Sequence, residues 1–486
     1  MYDVVIIGGG VVGAAIAREL SRFRLSIAVL EKEIDIAMGA TKANSAIVHG
    51  GYAEAHAKLK GRVCYQGRRQ FQKLNDELDF GFLPIGSLVL AFEEGQRQGL
   101  VELLENGKKN GLPDLELLDA AQVHALEPNV NDTVKYALYC RGAGVCSPFE
   151  LAVALMENAI ANGVSLFLQS EVSAIQKIED TFQINTQSGA VYEARYVVNA
   201  AGLYAAQVAA MAGTGDFSIH PRSGEYILMR EGTGKLAGQV LFQMPTKMGK
   251  GILVTPTVYG NLLLGPDALD EQSSDRNTHV QRLHSIFKTA KQTTDKLDAS
   301  KFLRSFAGVR AVASTDDFII GKSSVAGFIN AAGIQSPGVT SSPAIAQLVR
   351  DNLSDSGLEL ADNPHFNPHR QAPYVAEEPV APPLLKELVE LAEGKDQRIV
   401  CRCMQVRESA IREALARGIP LQTVDAVKRR TLAGMGMCQG MFCRPRTASL
   451  LSHHYDRPID SQPDYVREGL QRVEKKEFLD YMRNNG

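Results

Sequence analysis

The chain opens on a short apolar strand, Asp3–Ile7, turns through Gly8–Gly13, and continues in helically spaced apolar residues to about Phe23. A second apolar strand, Ser26–Leu30, follows. Strand, glycine turn, helix and strand in that order predict a βαβ unit in a parallel, helix-covered sheet. Two more apolar segments, Tyr196–Ala200 and Gly327–Ala332, stop at Gly202 and Gly333. Such strands suit a nucleotide-binding sheet, whose ligands lie beyond the carboxyl ends of its strands. From about 86 to 145 and from about 217 to 305 the pattern changes to amphipathic helix mixed with β-like alternation, as at Glu225–Met229 and Asn261–Leu264. These stretches predict a second, substrate-covering domain inserted into the first.

Between Pro364 and Pro383 six of twenty residues are proline, a density that predicts a semi-rigid spacer. Beyond it the pattern predicts a helix at Leu384–Glu393, a cysteine-bearing module and a tail. In the tail, Leu470, Val473, Phe478 and Leu479 recur at near-helical spacing, as expected of a helix docking on its own domain. The plan is an α/β fold: a Rossmann-like nucleotide-binding domain, an inserted antiparallel-sheet (α+β) cap, and a small helical C-terminal module. The first unit spans 1–360, with nucleotide-binding pieces at about 1–85, 146–216 and 306–360 and cap pieces at about 86–145 and 217–305. Residues 361–395 form the proline-rich linker and its helix, 396–450 the cysteine module, and 451–486 the tail.

Composition narrows the functional classes. Of 486 residues, 45% are hydrophobic, enough to fill more than one core. A net charge of −3 makes no electrostatic case for nucleic acid or an anionic membrane surface. The longest apolar stretch, Phe80–Phe92, is broken by Gly81, Pro84 and Gly86, so no bilayer-spanning helix is expected. Met1-Tyr2 leads straight into the first strand without a basic n-region, so the expected location is the cytoplasm, with any contact to the inner membrane made through a partner. Of seven cysteines, Cys64, Cys140 and Cys146 are scattered, while Cys401, Cys403, Cys438 and Cys443 crowd together. In a cytosolic chain that distribution argues against a disulfide framework.

Gly8, Gly10 and Gly13 form G-x-G-x-x-G between strand and helix, and Glu31 stands at the end of the next strand. Gly8 allows the turn, Gly10 lets a pyrophosphate approach the backbone, and Gly13 permits close helix–strand packing. Free amides at the helix N-terminus receive the pyrophosphate, and the Glu31 carboxylate suits the ribose hydroxyls. The same carboxylate disfavours NADP, leaving FAD and NAD. The small polar run Gly39–Ser45, leading into Ala46–Gly51, suits a flavin's pyrophosphate and ring and favours FAD.

This fingerprint, Thr41–Gly51, Val197–Gly202, Phe306–Arg310 and Gly333–Thr340 together resemble the D-amino-acid-oxidase-type FAD oxidoreductases. Within them the chain is similar to the group holding FAD-dependent glycerol-3-phosphate dehydrogenases and L-2-hydroxyglutarate oxidases. The resemblance covers about residues 1–355. It implies a flavin cradled by Gly8, Gly10, Val12, Gly13, Glu31 and Lys32, by Thr41, Lys42, Asn44 and Ser45, by Val172 and Gly202, and by the loop Gly338-Val339-Thr340. That loop is expected to precede a helix at Pro343–Asn352, with its amides facing the flavin's pyrimidine edge. The resemblance also implies that Arg310 approaches the substrate.

Oxidation of an alcohol at a flavin needs a proton acceptor, an anchor and a dry site. His49 is the candidate base, since imidazole titrates near neutral pH; the alternative is that it only hydrogen-bonds the flavin or caps its loop. Arg310 is the candidate anchor, and an ion pair with Asp316 or Asp317 is its alternative role. Lys58, Lys60 and Arg62, with Arg222, Lys247 and Lys250 in the cap and the hydroxyls of Thr255 and Thr257, are the further groups that could face a small anionic secondary alcohol.

The clustered cysteines read C-x-C-x34-C-x4-C, a set that serves either a [2Fe-2S] cluster or zinc. The tight first pair and wide gap depart from the usual zinc knuckle. Helices are expected at Glu408–Gly418 and Val424–Arg430. Cys401-Arg402-Cys403, Arg429-Arg430-Thr431 and Gly434–Gly440 through Cys443 resemble the bacterioferritin-associated-ferredoxin-like [2Fe-2S] domain, in the form fused to anaerobic glycerol-3-phosphate dehydrogenases. Arg402, Arg407, Lys428, Arg429, Arg430 and Arg444 are expected to offset the negative charge of a cluster and its thiolates. An oxidase has no need of such a relay, so the module points to a dehydrogenase that passes electrons to a partner subunit or a quinone. Glycerol 3-phosphate is the first substrate expected and L-2-hydroxyglutarate the second. An electron-transfer subunit with a vestigial substrate site is the alternative from another class, and an oligomer is compatible with all three.

Overall fold

The computed structural model describes residues 1–244, 251–270, 275–371 and 380–485. Tyr2–Ile7 lies in the middle of the first sheet, parallel to Ile27–Leu30 on one side and to Val191–Asn199 on the other. Ser165–Phe167 extends the sheet beyond Ile27–Leu30. The far edge of Val191–Asn199 is shared. Its first half pairs antiparallel with Thr181–Thr186, and its second half pairs parallel with Phe328–Ala332. The carboxyl ends at Ile7, Leu30, Asn199 and Ala332 therefore open on one side of the sheet. Val4, Val5, Ile6 and Ile7 are all buried, Val4 and Ile6 under helices Val11–Leu20, Pro148–Ala161 and Gly338–Ser354, Val5 and Ile7 against Phe182, Ile184 and Val208. Burial on both faces explains why the strand is apolar without alternation. Gly13 is required because a Cβ there would overlap the Gly8 carbonyl oxygen where helix meets strand.

The cap is a nine-stranded sheet whose longest pair is Ile219–Met229 against Phe302–Ala313. It is not purely antiparallel. Val240–Gln243 runs parallel to Ser87–Ala91, since these strands come from separate insertions and no hairpin joins them. The C-terminal module packs helices Glu408–Leu415, Val424–Thr431 and Cys443–Tyr455 around Val400, Ile411, Val427 and Leu451.

Three further expectations are corrected. The helix expected at Pro343–Asn352 begins at Gly338, so Gly338, Val339 and Thr340 are its first turn. Pro343 cannot donate to the Val339 carbonyl, and the Ser342 hydroxyl donates to it instead at 2.9 Å. The tail helix Lys475–Asn485 does not dock on its own module. Phe478 is fully buried in the cap core, stacked on Phe302 and edge-on to Phe287. The first part of the supposed spacer is a strap. Arg370 bonds Glu157 at 2.6 Å and Glu150 at 2.8 Å, while the Asn158 side-chain amide donates to the Asn367 and His369 carbonyls. Residues 372–379 of the expected spacer lie outside the described residues.

Candidate active site and cluster module

At the dinucleotide turn, Gly10 caps the first helix, and the Val11 amide donates to Thr41 Oγ1 at 3.0 Å. Glu31 is buried; its two carboxylate oxygens accept from the amides of Gly9 (2.7 Å) and Glu33 (2.9 Å), while burial raises its pKa. Val12 turns its side chain into the core, which leaves only its backbone at the turn. Lys32 pairs with Glu33 and lies over the Tyr204 ring, beside Gly202 at the start of a short 3-10 turn. The Asn44 side chain braces its own loop, donating to the Ala40 and Thr41 carbonyls and accepting from the Ala46 amide. Ser45 is half-buried beside it, and Val172 is buried just after Ser170, whose amide donates to the Glu31 carbonyl. Lys42 turns elsewhere. Its ammonium lies 3.8 Å from Glu468 in the tail, and burial pushes its pKa down to about 8.

The next layer brings separated segments together. Strand Phe302–Ala313 crosses the Thr41–Ser45 loop at Gly308, where a Cβ would overlap the Ala43 carbonyl oxygen. Two residues on, Arg310 donates to the Asp267 carbonyl at 3.1 Å. On the other side Thr340 Oγ1 accepts from the His49 amide at 2.9 Å, and the His49 Nε2 lies 3.2 Å from Ser336 Oγ. His49 therefore stands between the flavin-type loop and the first turn of helix Gly338–Ser354. Its ring leans on Phe242 and lines a small cavity with Gly51, Tyr52, Val89 and Leu103.

Most of the other expected cations do not converge. Lys58 and Lys60 pair with Asp316, and Lys60 also with Glu54. Asp317 accepts from the Leu59 and Lys60 amides at the start of helix Leu59–Arg68. Neither acid therefore pairs with Arg310. Arg62 donates to the Ala57 carbonyl and Arg222 pairs with Asp270. Thr255 is fully buried, and Thr257 accepts within a turn from Tyr259 and Asn261. Lys247 and Lys250 lie outside the described residues. Apart from Glu54, six residues before Lys60, these carboxylates are distant in sequence, so spacing alone could not reveal the pairing. Sequence reasoning also missed the network behind Arg310: Asp267 binds Arg282 through both oxygens, and Arg282 lies 3.2 Å from buried Glu225.

In the module, Cys401 and Cys443 are buried and hydrogen-bonded to each other, and Cys403 is similarly paired with Cys438 nearer the surface. The bond from Cys443 pushes the Cys401 thiol down to about 6, with help from the amides of Gly434, Met404 and Cys403. Cys438 likewise faces the Phe442 and Gly440 amides. Two thiol pairs surrounded by amide donors fit a two-iron cluster, each iron taking two cysteines. Among the described residues no three His, Cys, Asp or Glu side chains converge as ligands of a single ion. The expected ring of cations is smaller than foreseen. Lys428 pairs with Asp425, Arg407 bonds Gln397, and Arg429 and Arg430 turn away to Asp35 of the nucleotide-binding domain. Arg402, in the first cysteine loop, lies over Phe442, and Arg444, in the first turn of helix Cys443–Tyr455, lies against Gly440.

Fold and site together define a flavoprotein oxidoreductase that carries an iron–sulfur module. Residues 3–352 match the FAD dependent oxidoreductase family, and the chain belongs to that family; residues 399–453 match the BFD-like [2Fe-2S] binding domain. Its cofactors are accordingly FAD and a [2Fe-2S] cluster. A glycerol 3-phosphate dehydrogenase of Caloramator mitchellensis is 43% identical over 464 residues, 93% of this chain and 94% of that one. The structure of a dithionite-reduced L-alpha-glycerophosphate oxidase from Mycoplasma pneumoniae with FAD bound superimposes at a TM-score of 0.73, with 30% identity over 77% of this chain and 99% of that one. The mitochondrial L-2-hydroxyglutarate dehydrogenase of Homo sapiens is 29% identical over 284 residues, 55% of this chain and 61% of that one. Among the described residues no helix is long and apolar enough to cross a membrane.

Proposed function

We propose that the chain oxidises glycerol 3-phosphate to dihydroxyacetone phosphate and passes the electrons through its cluster to a partner subunit or quinone. The observation that carries this reading is the similarity to the glycerol 3-phosphate dehydrogenase, which extends through the cysteine module, whereas the hydroxyglutarate dehydrogenase matches just over half of the chain. The Gly8–Gly13 turn, Glu31, the Thr41–Ser45 loop and the first turn of helix Gly338–Ser354 hold FAD, which supplies the hydride acceptor. Arg310 anchors the anionic end of the substrate, its fork held from behind by the Asp267 carbonyl. The His49 imidazole takes the proton of the C2 hydroxyl as the C2 hydrogen departs with its electron pair, and Ser336, 3.2 Å from its Nε2, orients the ring. Phe242, Val89 and Leu103 keep water from that exchange.

The test is anaerobic mixing of the FAD- and cluster-loaded protein with glycerol 3-phosphate or L-2-hydroxyglutarate. Glycerol 3-phosphate should bleach the flavin, followed by appearance of the reduced-cluster EPR signal. Faster bleaching by L-2-hydroxyglutarate would reverse the order of substrates, and failure of both to bleach it would favour an electron-transfer subunit.

A further inference from the structure

Asp35 lies four residues beyond Glu31, on the loop leaving strand Ile27–Leu30, and is fully buried. Arg429 reaches it through Nε (3.0 Å) and Nη2 (2.6 Å), and Arg430 through Nη1 (2.5 Å) and Nη2 (2.6 Å). Both arginines come from helix Val424–Thr431 of the cysteine module. The remaining arm of Arg429 donates to Asp464 of the tail at 3.0 Å. Burial alone would raise the Asp35 pKa, yet the two guanidinium groups hold it below its ordinary value. The loop bearing this carboxylate also closes on the dinucleotide turn. The Ala37 amide donates to the Gly9 carbonyl at 3.0 Å, and Ile36 is buried beside Gly9.

Two contacts accompany it. Glu157 is shared between Arg370 of the strap and Arg417 of the module, and Ile419 of the module enters the core of the nucleotide-binding domain. Asp35 differs from these in joining the module to the segment that carries Glu31. The paired arginine forks also define orientation, which an apolar contact does not.

We propose that the clamp of Asp35 with Arg429 and Arg430 is a positioning device. It fixes the cluster module on the Glu31 loop and so sets the rate of electron transfer from flavin to cluster. This rests on the electron path proposed above. Each transfer takes one electron from substrate-reduced flavin and converts a diferric cluster to the mixed-valent form. The second electron follows after an acceptor has reoxidised the cluster, and the flavin's protons leave to solvent.

The test compares the parent protein with Asp35→Asn, both loaded with FAD and cluster, in the same anaerobic mixing experiment. The variant should show flavin bleaching by glycerol 3-phosphate within about twofold of the parent and an unchanged EPR spectrum after dithionite, with cluster reduction by flavin slowed about tenfold or more. Equal rates of cluster reduction would overturn the proposal. Arg430→Lys, which keeps the charge but loses the fork, should fall between the two and serves if Asp35→Asn does not fold.

Positioning is separated from a merely structural role by a rescue. A Cβ on Gly418 would stand 3.9 Å from the Ile160 Cβ, within disulfide range. Ile160→Cys with Gly418→Cys therefore pins the module to the nucleotide-binding domain without the clamp; Gly418 sits at φ +86, so a cysteine there strains the backbone, equally in the crosslinked parent and in the crosslinked variant. Added to Asp35→Asn, the oxidised crosslink should restore cluster reduction to within about threefold of the crosslinked parent. A formed crosslink without recovery counts against positioning. If the parent's own cluster stays oxidised while its flavin bleaches, the electron path itself fails, and the role of the clamp falls with it.

Discussion

Arg310 shows how a candidate residue can be visible in the sequence while its setting is not. The G-V-R segment and the family resemblance singled it out, but its backbone partner at Asp267 and the Arg282–Glu225 network behind that belong to segments brought together only by the cap sheet. If Arg310 binds the anionic end of the substrate, Arg310→Ala should raise KM for glycerol 3-phosphate about 10- to 100-fold, the equivalent of one charge-assisted contact. Arg310→Lys should recover part of this, and steady-state kinetics with an artificial electron acceptor measures both. Glu127 was invisible as a special group. Its side chain is buried in the cap, accepting from the Gly238 and Gln239 amides, and burial pushes its pKa up to about 7. Between the ordinary value of 4.5 and about 7 the unfolded chain has lost a proton that the folded chain keeps. Stability contributed by this group is therefore full below 4.5, falls as pH rises through that window, and is level above it, a loss of at most about 3 kcal/mol. Glu127→Gln should flatten that part of the Tm-against-pH profile.

At the scale of elements, the strongest patterns translated well. The opening βαβ unit, the strands at 196–200 and 327–332 and the helices flanking the cysteines all occupy the expected places within a few residues. Their periodicity follows from burial, which each segment expresses by itself. The tail helix did not translate, because amphipathicity reports that a face is buried and not what buries it. Phe478 is packed against Phe287 and Phe302, so Phe478→Ala should cost about 3–5 kcal/mol, released mainly from the cap. Hydrogen exchange should then rise in helix Val280–Ala290 and strand Phe302–Ala313, with the strands around Ile7 protected as before. Unchanged protection in the cap would mean that the tail contributes nothing to it.

At the scale of the whole molecule, the proline-rich stretch had suggested a module set apart by a semi-rigid spacer. Instead, the strap at Arg370, the entry of Ile419 into the core and the Asp35 clamp seat the module on the nucleotide-binding domain, and the tail ties it to the cap. The same arginines that seemed to serve the cluster's charge serve this junction. By itself the sequence determined the chemistry: the glycine turn with Glu31, the flavin-type loop and the four cysteines are local motifs whose residue types and spacing already limit what they can bind. Only the tertiary structure decided which charges are neutralised and how the modules sit, because Arg429 and Asp35 are separated by 394 residues and an ion pair leaves no periodic trace in either segment.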